Sequence, residues 1–161
     1  MFRLTQSDFS LHAQIDRGDV ASIFAERKRL MAHWSKQIEQ AVIEKGFNAE
    51  IYAGFQHLER IASVLPRYRQ LVTVAKTLTI FGVISQADRD LSGMKLVALA
   101  PDDQLTQEWF LLVRHPQYTR ALIAREIEPK FYEGIMTSSS ERVERYITAL
   151  KAHISKPTVE G

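Results

Sequence analysis

Apolar residues near the start of the chain keep a helical rhythm. Val20, Ile23, Phe24, Met31, Trp34, Ile38 and Val42 recur at intervals of three, four and seven, the spacing that lines one side of an α-helix. With Asp19 as N-cap and Gly46 as stop, the pattern predicts one long helix over 19–45. Its wet face carries Glu26, Arg27, Lys28, Arg29, Lys36, Gln37 and Glu44. Phe24, Met31 and Ile38 lie seven apart, as in a paired-helix seam, with Arg27 interrupting between them. Ile51, Phe55, Leu58, Ala62 and Leu65 continue the spacing and predict a second helix that ends at Pro66, because a residue before proline is pushed out of the α region. A third helix opens on Pro66 and runs through Tyr68, Leu71, Val72 and Ala75.

The texture then changes. Residues 77–84 hold Leu78, Ile80, Phe81 and Val83 in a short, nearly continuous apolar run, which predicts a strand buried on both faces. A polar turn over 86–93 precedes a second strand over 94–100, closed by Pro101, Asp102 and Asp103. Leu105 falls in a short turn before a third strand over 108–114, and a fourth is expected over 118–125 after His115 and Pro116. Beyond Pro129 an irregular stretch containing Gly134 is expected. Ser138 with Glu141 three residues on has the capping-box spacing that opens a last helix bearing Val143, Ile147, Leu150 and Ile154. The expected architecture is therefore α/β in the broad α+β sense: one domain, a small sheet of about four strands, and several flanking helices, long ones at both ends. Its expected limits are an N-terminal arm over 1–18, the domain over 19–154 and a tail over 155–161.

Composition narrows the function. At 161 residues and 45% hydrophobic, the chain can bury a core of its own, since a fold of this length hides roughly 70% of its unfolded surface. A formal charge of +2, with signs interspersed along the chain, lacks the concentrated basic face that phosphate backbones demand, so no nucleic-acid partner is expected. The absence of cysteine excludes disulfides, thiolate metal sites and cysteine nucleophiles. A cytoplasmic location is expected from it. No window approaches the roughly 18 uninterrupted apolar residues of a membrane span, and residues 1–10 lack the shape of a leader, so no membrane contact is expected.

Catalytic constellations do not assemble. His12, His33, His57, His115 and His153 never pair at helical spacing, so no metal site is expected. There is no G-x-S-x-G elbow, no phosphate loop and no G-x-G-x-x-G fingerprint. Glu108 beside Trp109 could have its acidity weakened by desolvation, with Asp102 and Asp103 nearby; turn, cap and strand-edge roles account for these three carboxylates more simply. No catalytic residue and no cofactor are expected. The aromatic residues are more informative. Trp109 and Phe110 are neighbours in a strand and so point to opposite faces, one of them either covered by a helix or offered to a partner.

Phe55-Gln56, Arg67-Tyr68, the strand 78–82, the run from Leu105 through Glu108-Trp109-Phe110 to Val113, and Pro116-Gln117-Tyr118 followed by 121–126 resemble, in order and spacing, the DICT domain. The resemblance extends from about Ala21 to Leu150. It implies a bacterial sensory module of about four strands and several helices, partnered by GAF or phytochrome-type sensors, histidine kinases or diguanylate cyclases, with a part in light responses. It brings no catalytic residues. Two functions follow as expectations: a non-catalytic signal-input or protein-docking module in two-component or cyclic-di-GMP signalling, or a small-ligand sensor with a pocket between sheet and helices. The candidate contact residues are Phe55, Gln56, Arg67, Tyr68, Glu108, Trp109 and Tyr118. A homodimer through either amphipathic helix stays open.

Overall fold

A computed structural model describes residues 2–3, 9–15, 22–83 and 91–155 of the chain. Its centre is a mixed sheet of eight strands among the described residues: β1 (Phe2–Arg3), β2 (Ser22–Arg27), β3 (Glu50–His57), β4 (Thr77–Val83), β5 (Lys95–Ala98), β6 (Glu108–Arg114), β7 (Arg120–Glu128) and β8 (Phe131–Thr137). They lie in the order β1-β5-β4-β3-β6-β7-β8-β2. The half from β1 to β3 is parallel, and from β3 through β6, β7 and β8 to β2 every pairing is antiparallel. Three α-helices are described: α1 (Lys28–Lys45), α2 (Leu65–Val74) and α3 (Ser140–Ser155).

Strand alternation sorts the side chains into two cores. Ile51 and Ala53, Leu78 and Ile80, Leu111 and Val113, and Leu122 and Ala124 face α1 and α2, meeting Met31, Ile38 and Val42 of α1 and Tyr68 and Leu71 of α2. Tyr52, Phe81, Phe110, Leu112 and Ile123 face the other way and meet Val143, Tyr146, Ile147 and Leu150 of α3. The domain is thus three layers deep, with α1 and α2 on one face and α3 on the other.

The α+β class holds, and the strand count is corrected upward from about four to eight. The predicted long helix over 19–45 is divided at Arg27, whose extended backbone (φ −76°, ψ 154°) caps α1. The segment before it forms β2, paired from Ser22↔Met136 to Arg27↔Phe131, because pairing with β8 satisfies its backbone groups along the whole segment. The predicted second helix is also a strand. Residues 51–54 are all buried between β4 and β6, and a strand covered on both faces has no polar alternation to oppose an accidental helical spacing. A 3₁₀ turn, Leu58–Ser63, then leads into α2 with Pro66 in its first turn.

The irregular stretch expected around Gly134 is β8, and the glycine has a packing reason. A Cβ there would lie 1.9 Å from the Ile123 carbonyl oxygen of β7, so the close approach of the two backbones admits no side chain. At the start of α3 the cap is Ser139 instead of Ser138: the Arg142 amide donates to its Oγ at 3.3 Å and the Val143 amide to its carbonyl at 3.0 Å. The strand over 108–114 is placed as expected. The fourth strand, expected over 118–125, runs over Arg120–Glu128 as β7. Asp103 acts as the turn residue foreseen, its Oδ1 accepting from the Leu105 amide at 2.9 Å. The Asp19 cap, most of the 86–93 turn and the tail after Pro157 lie outside the described residues.

Candidate functional site

Near the carboxyl end of β3, where it runs beside the start of β6, the sheet and its helices enclose a cavity of about 210 Å³. Lys28, Ala32, Ser35 and Glu39 reach it from α1 at intervals of four, three and four, which is one side of the helix. The floor is residues 53–55 of β3 and 109–111 of β6, and the 3₁₀ turn and α2 close the remaining side through Arg60, Ser63, Val64, Arg67 and Tyr68.

Aromatic groups form much of the wall. Phe55 meets Tyr68 edge to face with ring centres 5.2 Å apart, and Trp109 meets Tyr132 likewise at 5.8 Å. The Trp109 indole donates from Nε1 to Ser35 Oγ at 3.0 Å, so of the two faces open to this strand pair, Trp109 occupies the one beneath α1 and Phe110 the one beneath α3.

One wall is polar and fully engaged. Glu39 is buried at 3% exposure; the Arg67 Nε donates to its Oε1 at 2.6 Å, and the Tyr68 hydroxyl donates to its Oε2. Burial raises the Glu39 pKa, and the bonds from Tyr68 and Arg67 act in the opposite sense. Tyr68 is held well above the usual phenol range by its own burial and by the Glu39 carboxylate, so its hydroxyl stays protonated and donates.

Behind the cavity the chain is strained. Gln56 has φ 62° in the left-handed region and lies in a register shift of β3 between Gly54 and His57. Such a bulge re-aims side chains and recurs next to binding sites. The buried Gln56 amide oxygen here accepts from both Arg60 and the Tyr132 hydroxyl, the latter at 3.1 Å, tying the 3₁₀ turn to β8.

Of the seven candidate residues, Phe55, Arg67, Tyr68 and Trp109 line the cavity and Gln56 supports Arg60 from behind. Glu108 and Tyr118 lie elsewhere. Tyr118 stacks on Phe47 with ring centres 5.4 Å apart and receives the Arg120 guanidinium 4.3 Å above its ring. Glu108 is on the α3 side of the sheet, at 0% exposure, where its carboxylate accepts from the Ser10 hydroxyl and the His12 amide, each at 2.7 Å. Burial pushes its pKa up to about 7 against the bonds from Ser10, His12 and Leu11 and the charge of Arg125. It thereby anchors a segment whose Leu11 is fully buried in the second core and whose Phe9 stacks on His153 at 4.4 Å. His153 Nε2 in turn stands 3.7 Å from Asp103 Oδ2.

Lys28, Glu39 and Arg60 were not among the expected contact residues. A helical reading places Lys28 on solvent. The sign of the site in the sequence is the Lys28-Ala32-Ser35-Glu39 stripe, two small residues set between two charged ones beside the apolar stripe of Met31, Ile38 and Val42. No group of three or more metal-ligating side chains occurs among the described residues, and no helix of theirs is long and apolar enough to cross a membrane.

The described residues thus form a three-layer α+β domain with a lined cavity between its sheet and two helices. The family model for the DICT domain, a sensory domain in diguanylate cyclases and two-component systems, matches residues 9–127, and the chain belongs to that family. No curated protein and no solved structure matches it significantly.

Proposed function

We propose that this sensory domain is non-catalytic and acts by holding a small molecule in the cavity between β3, β6, α1 and α2. Occupancy is then passed to a signalling partner of the kind the family serves, a histidine kinase or a diguanylate cyclase. The observation that carries the reading is the convergence of Phe55, Arg67, Tyr68 and Trp109 on one cavity of about 210 Å³. A cavity of roughly 150 Å³ already admits a benzene ring.

Docking of a protein directly on the sheet is less well supported. The aromatic groups that such a partner would touch lie beneath α1 and α2, and among the described residues the exposed large hydrophobic side chain is Ile127, too little for an apolar docking patch. A ligand wedged between Trp109 and α1 would bear on Ser35 and Glu39, so α1 and α2 are the elements that move.

Native mass spectrometry of the protein purified from its own host tests this. A bound small molecule, released on denaturation and missing from an Ala32→Phe chain whose cavity mouth is filled, is the expected result. A wild-type chain without bound mass, equal to the filled variant, would refute it.

A further inference from the structure

The cavity is unevenly charged. Arg67 is neutralised by Glu39, but Lys28 and Arg60, which line the same space, have no carboxylate within ion-pair reach among the described residues. Arg60 is held by the neutral Gln56 amide. Lys28 has its pKa lowered by burial first, then by the neighbouring charges of Arg60 and Lys130, and the opposing effect of Glu126 is the smallest of the four. Glu126 is also engaged elsewhere, its Oε2 accepting from the Lys130 amide at 2.9 Å. The positive end of the α1 dipole lies at the same place, since α1 begins at Lys28. Much of the remaining lining is apolar and aromatic: Phe55, Val64, Tyr68 and Trp109.

Resting on the reading of this cavity as a ligand site, we infer that its ligand is a small amphipathic monoanion. It is a monocyclic aromatic or branched aliphatic carboxylate, with its apolar body against Trp109, Phe55 and Tyr68 and its carboxylate between Lys28 and Arg60. The size agrees: the volume of about 210 Å³ holds one ring with a short substituent. The charge agrees as well. A carboxylate placed there relieves the repulsion between Lys28 and Arg60, whereas a cationic ligand would add to it. Glu39, already satisfied by Arg67 and Tyr68, is left as a rigid wall.

Isothermal titration calorimetry with paired probes tests the assignment. Benzoate, phenylacetate and 4-hydroxyphenylacetate are each compared with the corresponding neutral amide at fixed ionic strength, on the wild-type chain, on Lys28→Met and on Ala32→Phe, whose added ring stands at the cavity mouth. Lys28→Met strands no buried carboxylate, and its folding is verified by circular dichroism and thermal melting. The expected result is an acid bound at least about tenfold more tightly than its amide, with the preference lost in Lys28→Met while amide affinity is unchanged, and all binding lost in Ala32→Phe. Equal affinity for acid and amide, or a preference that survives Lys28→Met, overturns the anion assignment and leaves the cavity reading standing. Failure of every probe to bind the wild-type chain overturns the anion assignment. If native mass spectrometry also finds no bound molecule, the cavity reading falls with it.

Discussion

Replacing Glu108 with glutamine separates the charge of this carboxyl from its shape. Glutamine fills the same volume, accepts from the His12 amide through its oxygen and donates to Ser10 Oγ through its nitrogen, so the two bonds at 2.7 Å have counterparts. What disappears is titration. In the folded chain the carboxyl is raised from the ordinary 4.5 to about 7, so the folded state holds a proton that the unfolded state has released. The stabilisation is present in full below pH 4.5 and is lost as pH rises towards 7. At 1.36 kcal/mol per pH unit, the interval from 4.5 to about 7 corresponds to about 3 kcal/mol, or about 6–12 °C in melting temperature for a domain of this size. Urea denaturation of both proteins between pH 4 and pH 8 reads the effect as a difference, which cancels the histidines common to both. Glu108→Gln should gain on the wild type by about that amount across the interval and hold constant above it. A difference that is flat with pH, or one that widens towards acid, refutes the burial argument.

Other substitutions probe the remaining contacts. Arg67→Met leaves Glu39 buried without its cation and should destabilise by about 3–5 kcal/mol; because the Glu39 pKa then rises further, the loss should be larger at pH 8 than at pH 5 in urea melts. Gly134→Ala drives a Cβ to within 1.9 Å of the Ile123 carbonyl and should cost more than the roughly 1–3 kcal/mol of ordinary overpacking, read as a large drop in melting temperature or loss of soluble protein. Trp109→Phe and Ser35→Ala each remove one partner of the 3.0 Å bond beneath α1. Each should cost about 1 kcal/mol, and the double variant should cost less than the sum in a double-mutant cycle.

The parts of the fold visible in the sequence are those with local punctuation. Pro66 marks the first turn of α2, the β-branched run over 77–83 marks β4, and the Pro101 and His115-Pro116 breaks bracket β6. Four strands were hidden, β1, β2, β3 and β8, and for β3 and β2 the reasons differ. β3 is buried on both faces, so its apolar positions fit a helix as readily as a strand. β2 depends on a partner more than one hundred residues away, and pairing with β8 overrides the local preference. Arg27, an oddity in a helical seam, is in fact the end of that strand. The site was half visible: Phe55, Arg67, Tyr68 and Trp109 stood out as aromatic and cationic residues in a chain without catalytic groupings. Glu39 looked like any charge on a helix, and only the crossing of α2 over α1, which brings Arg67 and Tyr68 against it, takes it out of water. Glu108 stood out beside Trp109, yet its partners Ser10 and His12 lie almost a hundred residues earlier.

Both margins of the sheet belong to the start of the chain: β1 lies along β5 and β2 lies along β8. During synthesis β1 must therefore wait for Lys95–Ala98 and β2 for Phe131–Thr137, each made more than ninety residues later, so neither margin can close until the strand it lies against has been made. A protein shortened to begin at Lys28 would retain every described α-helix and the six central strands while baring two rows of unpaired backbone amides and carbonyls. Naked margins of that kind recruit further copies edge to edge, so β1 and β2 act as selvedges, and their removal should make the chain more prone to aggregate.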